Sequence, residues 1–191
     1  MRLKPSSSLL NASDNRTLVR FTRPSEPGSV KGYIVDVGTK FFMVAIVADD
    51  MRFNGFQCFR LSDVRRLKIP APYAEFAEAA LKKRRERIPR KPPVDLSSLT
   101  RLLQTANKAF PLVTIHREIV DRGACHIGRV VQIEKGILRL LEIGPDARWD
   151  VEPEQYRLNQ ITRVDFGGRY EEALHLVGGS PQRRIARRRR T

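Results

Sequence analysis

Residues 156–177, YRLNQITRVDFGGRYEEALHLV, decide the fold, because their first part echoes residues 59–67, FRLSDVRRL: Arg60, Leu61 and Arg66 reappear as Arg157, Leu158 and Arg163. Upstream the echo continues at a nearly constant offset. GYIVDVGTKFFMVAIV (32–47) falls on GRVVQIEKGILRLLEI (128–143), with Gly32 on Gly128 and Val35 on Val131, and Asp50-Met51-Arg52-Phe53 falls on Asp146-Ala147-Arg148-Trp149. Apolar positions mostly meet apolar positions. A fixed-order match of this length reads as a duplicated unit, each copy of one supersecondary kind.

Within the first copy, the alternation of LVRFTR (18–23) suits an edge strand, and the runs 31–37 and 41–48 flank Gly38-Thr39-Lys40 as a hairpin. Residues 51–61 contain Asn54-Gly55, a strong hairpin-turn dipeptide, which predicts a second tight hairpin there. Ser62-Asp63 predicts a helical turn before a strand over 64–69, ended by Pro70 and Pro72. Residues 73–87 have helical composition, with Tyr73, Phe76, Ala77, Ala80 and Leu81 as the expected apolar face. A second helix starts near Asp95 and stops at Pro111. The second copy repeats the order, from LVTIHR (112–117) to a strand over 161–166, a glycine turn at Gly167-Gly168 and a short helix over 169–177.

The domain reading is a loose arm over 1–16, a first unit with its helix over 17–88, a proline-rich basic linker over 89–94, a second unit over 95–178 and a tail over 179–191. The fold expected is mainly β with flanking helices. With about five short strands per copy and a helical turn before the last, each copy resembles an SH3-like small barrel, of which Sm-like barrels are one class. Two such barrels in tandem would result. The glycine-centred RNA-contacting signature of Sm proteins is absent. The paired repeat with its DFGGRYEEAL ending also resembles bacterial hypothetical proteins whose shared pattern implies no function.

Charge is placed more tellingly than its total of +15 suggests. Residues 82–91, KKRRERIPRK, carry +6 and residues 183–190, RRIARRRR, carry another +6, which leaves +3 for the rest of the chain. Arginine pairs bidentately with phosphate, and each neutralised phosphate releases counterions. The expected nucleic-acid-binding residues are therefore Lys82, Lys83, Arg84, Arg85, Arg87, Arg90 and Lys91, with Arg183, Arg184, Arg187, Arg188, Arg189 and Arg190. Arg52 and Arg148, at matching repeat positions, and Trp149, which matches Phe53, are candidate contacts from the barrels; the alternative for such repeated charges is cross-strand pairing that fixes register.

Catalytic chemistry finds little footing. Asp165-Phe166-Gly167 resembles the metal-binding triplet of protein kinases, but the phosphate loop, strand lysine and catalytic-loop triplet that accompany it there are missing. Cys125 and His126 are neighbours, which a strand would send to opposite faces, and the histidines show no ligand spacing. Cys125, His126 and Asp165 are not expected to share one pocket. Neither catalytic residues nor a metal or cofactor are assigned. No apolar run reaches the roughly 20 residues of a membrane span and no secretory leader is evident, so a cytoplasmic protein is expected. The partner expected is RNA or DNA. The alternative is a protein-interaction adaptor that uses barrel edges or grooves, with the basic runs incidental; the oligomeric state is left open.

Overall fold

In the computed structural model, which describes residues 5–24 and 26–181, the ten strands of the described residues join one antiparallel sheet, accompanied by four helices. The first half supplies β1 (Leu18–Arg23), β2 (Glu26–Val37), β3 (Phe41–Val47), β4 (Phe53–Arg60) and β5 (Arg65–Lys68). The second supplies β6 (Val113–His116), β7 (Cys125–Glu134), β8 (Ile137–Glu142), β9 (Glu154–Arg157) and β10 (Arg163–Phe166). Their order across the sheet is β5-β1-β2-β3-β4-β10-β6-β7-β8-β9, so each half has the same internal order and β10 joins them by pairing with β4 as well as β6. The mainly β expectation holds. The expectation of two closed barrels gives way to one continuous sheet that is not closed, because β10 is paired on both edges while β5 and β9 end the sheet.

Strand β3, FFMVAIV, shows why a seven-residue apolar run was required. Phe42 and Val44 enter one core with Phe21, Val30, Phe59 and Val64, whereas Phe41, Met43 and Ala45 enter another on the opposite face. A strand covered on both faces loses the polar alternation of a half-exposed one. The first of these cores is closed by α1 (Pro5–Asp14), whose Leu9 and Ala12 are fully buried one helical turn apart. A loose arm was expected there; two small apolar contacts on a short polar helix leave too faint a periodic signal.

The second core belongs to both halves. It packs α3 (Leu99–Ala109), through Leu102, Leu103 and Ala106, against Met43, Phe56 and Cys58 on one side and Val113, Ile115, Leu138, Leu140 and Phe166 on the other. Ser98 caps α3 by accepting from the Arg101 N–H at 3.2 Å. Val94, the last residue of the expected linker, and Leu96 just beyond it are themselves buried in this core.

Asn54-Gly55 does not turn. It lies inside β4, where Gly55 has φ +68° and any Cβ would sit 2.5 Å from the Gly167–Gly168 backbone, so glycine serves close packing rather than a hairpin. Leu61 and Leu158, the echoed pair of the repeat, open matching 3-10 turns, Leu61–Asp63 and Leu158–Gln160, and are only half-buried. No helix among the described residues is long and apolar enough to cross a membrane.

Candidate nucleic-acid interface

Helix α2 (Ala74–Lys83) is amphipathic, but its buried side is narrow: Ala77 and Leu81 face the sheet with Leu18, Tyr33 and Val47. Tyr73 and Phe76, read from the sequence as part of the apolar face, are instead 85% and 65% exposed. The correction is geometric. Ala77 and Leu81 centre the contact, and at 100° per residue Phe76 falls well outside it, on the same exposed side as Lys83 one turn pair later.

The helix ends in a hydrogen-bonded wrap. Arg85 N–H donates to Lys82 O at 3.0 Å and Glu86 N–H to Leu81 O at 2.9 Å, the pattern in which the residue after the cap turns left-handed. That residue is Arg85, at φ +58°, where glycine is usual. The wrap carries the chain back over the sheet and fans out the basic run: Lys82, Lys83, Arg84, Arg85, Arg87, Arg90 and Lys91 are all exposed. Of these, Lys91 pairs with Asp36 at 2.8 Å.

Beneath the wrap lies a groove of about 460 Å³. Tyr33 and Phe53, with ring centroids 6.1 Å apart, and Leu81 and Ile88 give it an apolar floor; Lys82, Arg85 and Arg87 stand at its rim. Burial, with Glu78 adding to it, pushes the Tyr33 hydroxyl up to about 12, so this ring stays neutral. Arg52 is drawn alongside by Glu86, at 3.3 Å. Three cations, Lys82, Arg85 and Arg87, and two carboxylates, Glu78 and Glu86, thus line a groove with an aromatic floor, and exposed Phe76 lies on the same helix.

No protein-family model, curated protein or solved structure matches this chain.

Arg148 and Trp149 stand elsewhere. They line a second groove, of about 720 Å³, formed with Val131, Val151 and the end of α4 (Arg169–Gly178). Trp149 Nε1 donates to Gly178 O and Gly179 O, both at 3.2 Å, and so ties down the helix end, while Arg148 faces Asp146 at 3.6 Å. Arg52 and Arg148 hence serve two grooves, not one. The arginines from Arg183 to Arg190 lie outside the described residues.

The enzyme question rests on the junction of β4, β10, β6 and β7. A cleft of about 220 Å³ there is lined by Cys125, His116, Asp165, Thr114 and Glu171 among others, so Cys125 and Asp165 do share a pocket, joined by His116 rather than His126. His126 turns to the other face and contacts Tyr156 at 2.9 Å and Glu142 at 3.1 Å. In the cleft, His116 Nε2 lies 3.1 Å from Asp165 Oδ2, and no hydrogen bond joins Cys125 to it among the described residues. Partial desolvation in the cleft, with Asp165 adding to it, pushes the thiol of exposed Cys125 up, opposite to what a nucleophilic thiolate needs. No cluster suited to a metal ion occurs among the described residues.

The carboxylates of this junction instead bind arginines. Arg163 grips Asp165 at 2.8 and 2.9 Å, Gln57 donates to it at 3.1 Å from β4, and buried Arg23 grips buried Glu118 at 2.9 and 2.5 Å. Burial alone would raise both carboxyls. Arg163 and His116 outweigh it at Asp165, and Arg23, Thr162 and Arg163 outweigh it at Glu118, so both titrate below their ordinary range. Depressed folded values mean that the stabilisation is present above the unfolded carboxyl values of roughly 4 and is lost as pH falls through the folded ones. Thermal melts from pH 7 down to pH 2 should show Tm falling below about pH 4, and an Asp165→Asn variant should show a shallower fall. Equal slopes would remove Asp165 from the acid response.

Proposed function

We propose that this protein is a non-catalytic nucleic-acid-binding protein that contacts phosphates through the exposed basic run 82–91 and the arginines of 183–190, and stacks bases on aromatics beside the first run. The observation that carries the reading is the groove floored by Tyr33 and Phe53 and lined by Lys82, Arg85 and Arg87, at the start of a run of seven exposed cations that begins in the last turn of α2, a helix that also leaves Phe76 exposed. Single-stranded nucleic acid suits this chemistry, since every base has a face to stack and every nucleotide a phosphate to pair. Arg85 adds support. It holds a left-handed conformation that glycine would adopt at lower cost, at the rim of the groove.

The architecture is read with it as two copies of an SH3-like/Sm-like unit fused into one sheet. In support, the strand order recurs, bulges fall at Ile34/Asp36 and Val130/Gln132, and Ala48 N–H to Arg52 O recurs as Gly144 N–H to Arg148 O. The helix after each unit packs on matching residues, Leu18, Val47 and Met51 in one and Leu112, Ile143 and Ala147 in the other.

Fluorescence anisotropy with a single-stranded RNA and a DNA duplex, at several salt concentrations, tests the function. Binding should weaken steeply with salt, and removing residues 182–191 should flatten the slope by up to about six phosphates. Phe76→Ala should weaken single-strand binding by about 1–3 kcal/mol with little effect on duplex or on folding, as its ring is exposed. Arg85→Gly should weaken binding while leaving stability equal or higher by up to about 1 kcal/mol. Lack of binding at low salt would overturn the reading in favour of a protein-interaction adaptor that uses the grooves.

A further inference from the structure

The sheet contains its own template for a contact between halves, and that contact is left unused at both ends. Strand β10 pairs with β4 in the register Arg163 to Phe59, Val164 to Cys58, Asp165 to Gln57 and Phe166 to Phe56. In the second half β9 holds the place of β4: Gln57 pairs with Val44 on β3, and Glu154 pairs with the corresponding Leu140 on β8. In the first half β5 holds the place of β10: Asp165 pairs with Thr114 on β6, and Lys68 pairs with the corresponding Arg20 on β1. Strands β9 and β5 are the two ends of the sheet, each with one edge unpaired among the described residues.

Carried over to a second copy, the β4–β10 register sets Lys68 of one chain opposite Glu154 of the next, where the internal junction has Asp165 opposite Gln57, bonded at 3.1 Å. Both side chains are exposed and neither forms an ion pair among the described residues. The surrounding charge is mixed, with Arg65 and Arg66 on β5 coming near exposed Arg157 at the far end of β9 and Glu152 beside its near end, so the complementarity lies in the Lys68–Glu154 pair. Ile69, 37% exposed, would come opposite Pro153 and near Val151, 68% exposed. We infer that the β9 edge of one copy of this protein pairs in antiparallel register with the β5 edge of another, giving head-to-tail self-association.

The physical character of the contact follows from the strands. Because each copy offers one β5 and one β9, the interface is heterologous and association does not stop at a dimer unless the geometry closes a ring. The ladder is short. β5 carries a bulge against β1, with Arg66 at φ +45°, and Pro153 has no N–H to give, so the pairing is confined to a few residues around Lys68 and Glu154. Association should accordingly be weak, concentration-dependent and sensitive to the sign of the two charges, since like charges directly opposite on a ladder repel.

The test is sedimentation velocity on the full, nuclease-treated chain over a range of concentrations. The weight-average mass should rise with concentration for the unaltered protein. Lys68→Glu alone and Glu154→Lys alone should each weaken association by about tenfold or more, and the double variant, or a mixture of the two single variants, should restore it. Circular dichroism of each variant should match the parent, because both positions are exposed. A parent that stays monomeric throughout, single variants that associate as well as the parent, or a double variant no better than the singles would each overturn the inference. This outcome is independent of nucleic-acid binding, which is read separately by anisotropy.

Discussion

Replacing Glu118 with alanine should destabilise the protein by about 3–5 kcal/mol, the usual cost of removing one member of a buried ion pair. Glu118 and Arg23 are both buried, 95 positions apart in sequence, and meet through two hydrogen bonds. Glu118 also accepts from Thr162 Oγ1 at 2.7 Å and lies 3.9 Å from Arg163, while the Arg23 guanidinium stands 4.6 Å over the Phe59 ring. Loss of the carboxylate removes a charge partner from one arginine on β1 and from another on β10 at once. Equilibrium unfolding in urea gives the measurement. A double variant, Arg23→Met with Glu118→Leu, should recover most of the loss, because an apolar pair of similar volume avoids desolvating charge altogether. A loss under about 1 kcal/mol for Glu118→Ala would mean that water reaches the pair and that the junction is held by packing alone.

Phe166→Ala should cost a comparable amount, about 3–5 kcal/mol, and the form of the unfolding curve matters as much as its position. Phe166 is fully buried, with ring centroids 4.8 Å from Phe110 and 5.8 Å from Phe56. These rings come from α3's end, β4 and β10, so the cavity opens in the core that both halves share. Unfolding followed by the fluorescence of Trp149, the single tryptophan, reports on the second half, whereas circular dichroism reports on the whole chain. The two curves should coincide and shift together in the variant. If the tryptophan transition moved while the rest of the chain held its midpoint, the halves would be separable, and the continuous sheet would contribute little to their stability.

The residues that organise the halves were legible because their signals are local. Strand runs such as FFMVAIV, the helical turn at Ser62-Asp63, the second helix ending before Pro111 and the basic run each follow from composition and spacing within a few residues. What misled was equally local. Asn54-Gly55 carries the signature of a tight turn, but its glycine answers a backbone 112 residues away, at Gly167. Tyr73 and Phe76 carry apolar character without apolar surroundings, and nothing in a single helix tells which side meets the sheet.

The sequence by itself determined that the chain is mainly β, that its two halves follow one strand order, and that its charge is gathered at 82–91 and 183–190. Periodicity and repetition carry that information, since each strand's alternation and each turn's chemistry is set by neighbours along the chain. Only the tertiary structure decided that the halves merge into a single open sheet through β4 and β10, that His116 rather than His126 meets Asp165, and that Arg23 finds Glu118. Those choices depend on which strand edges and which buried charges find one another across about a hundred residues. An unpaired edge or a buried charge has no preferred partner until the fold brings one within reach.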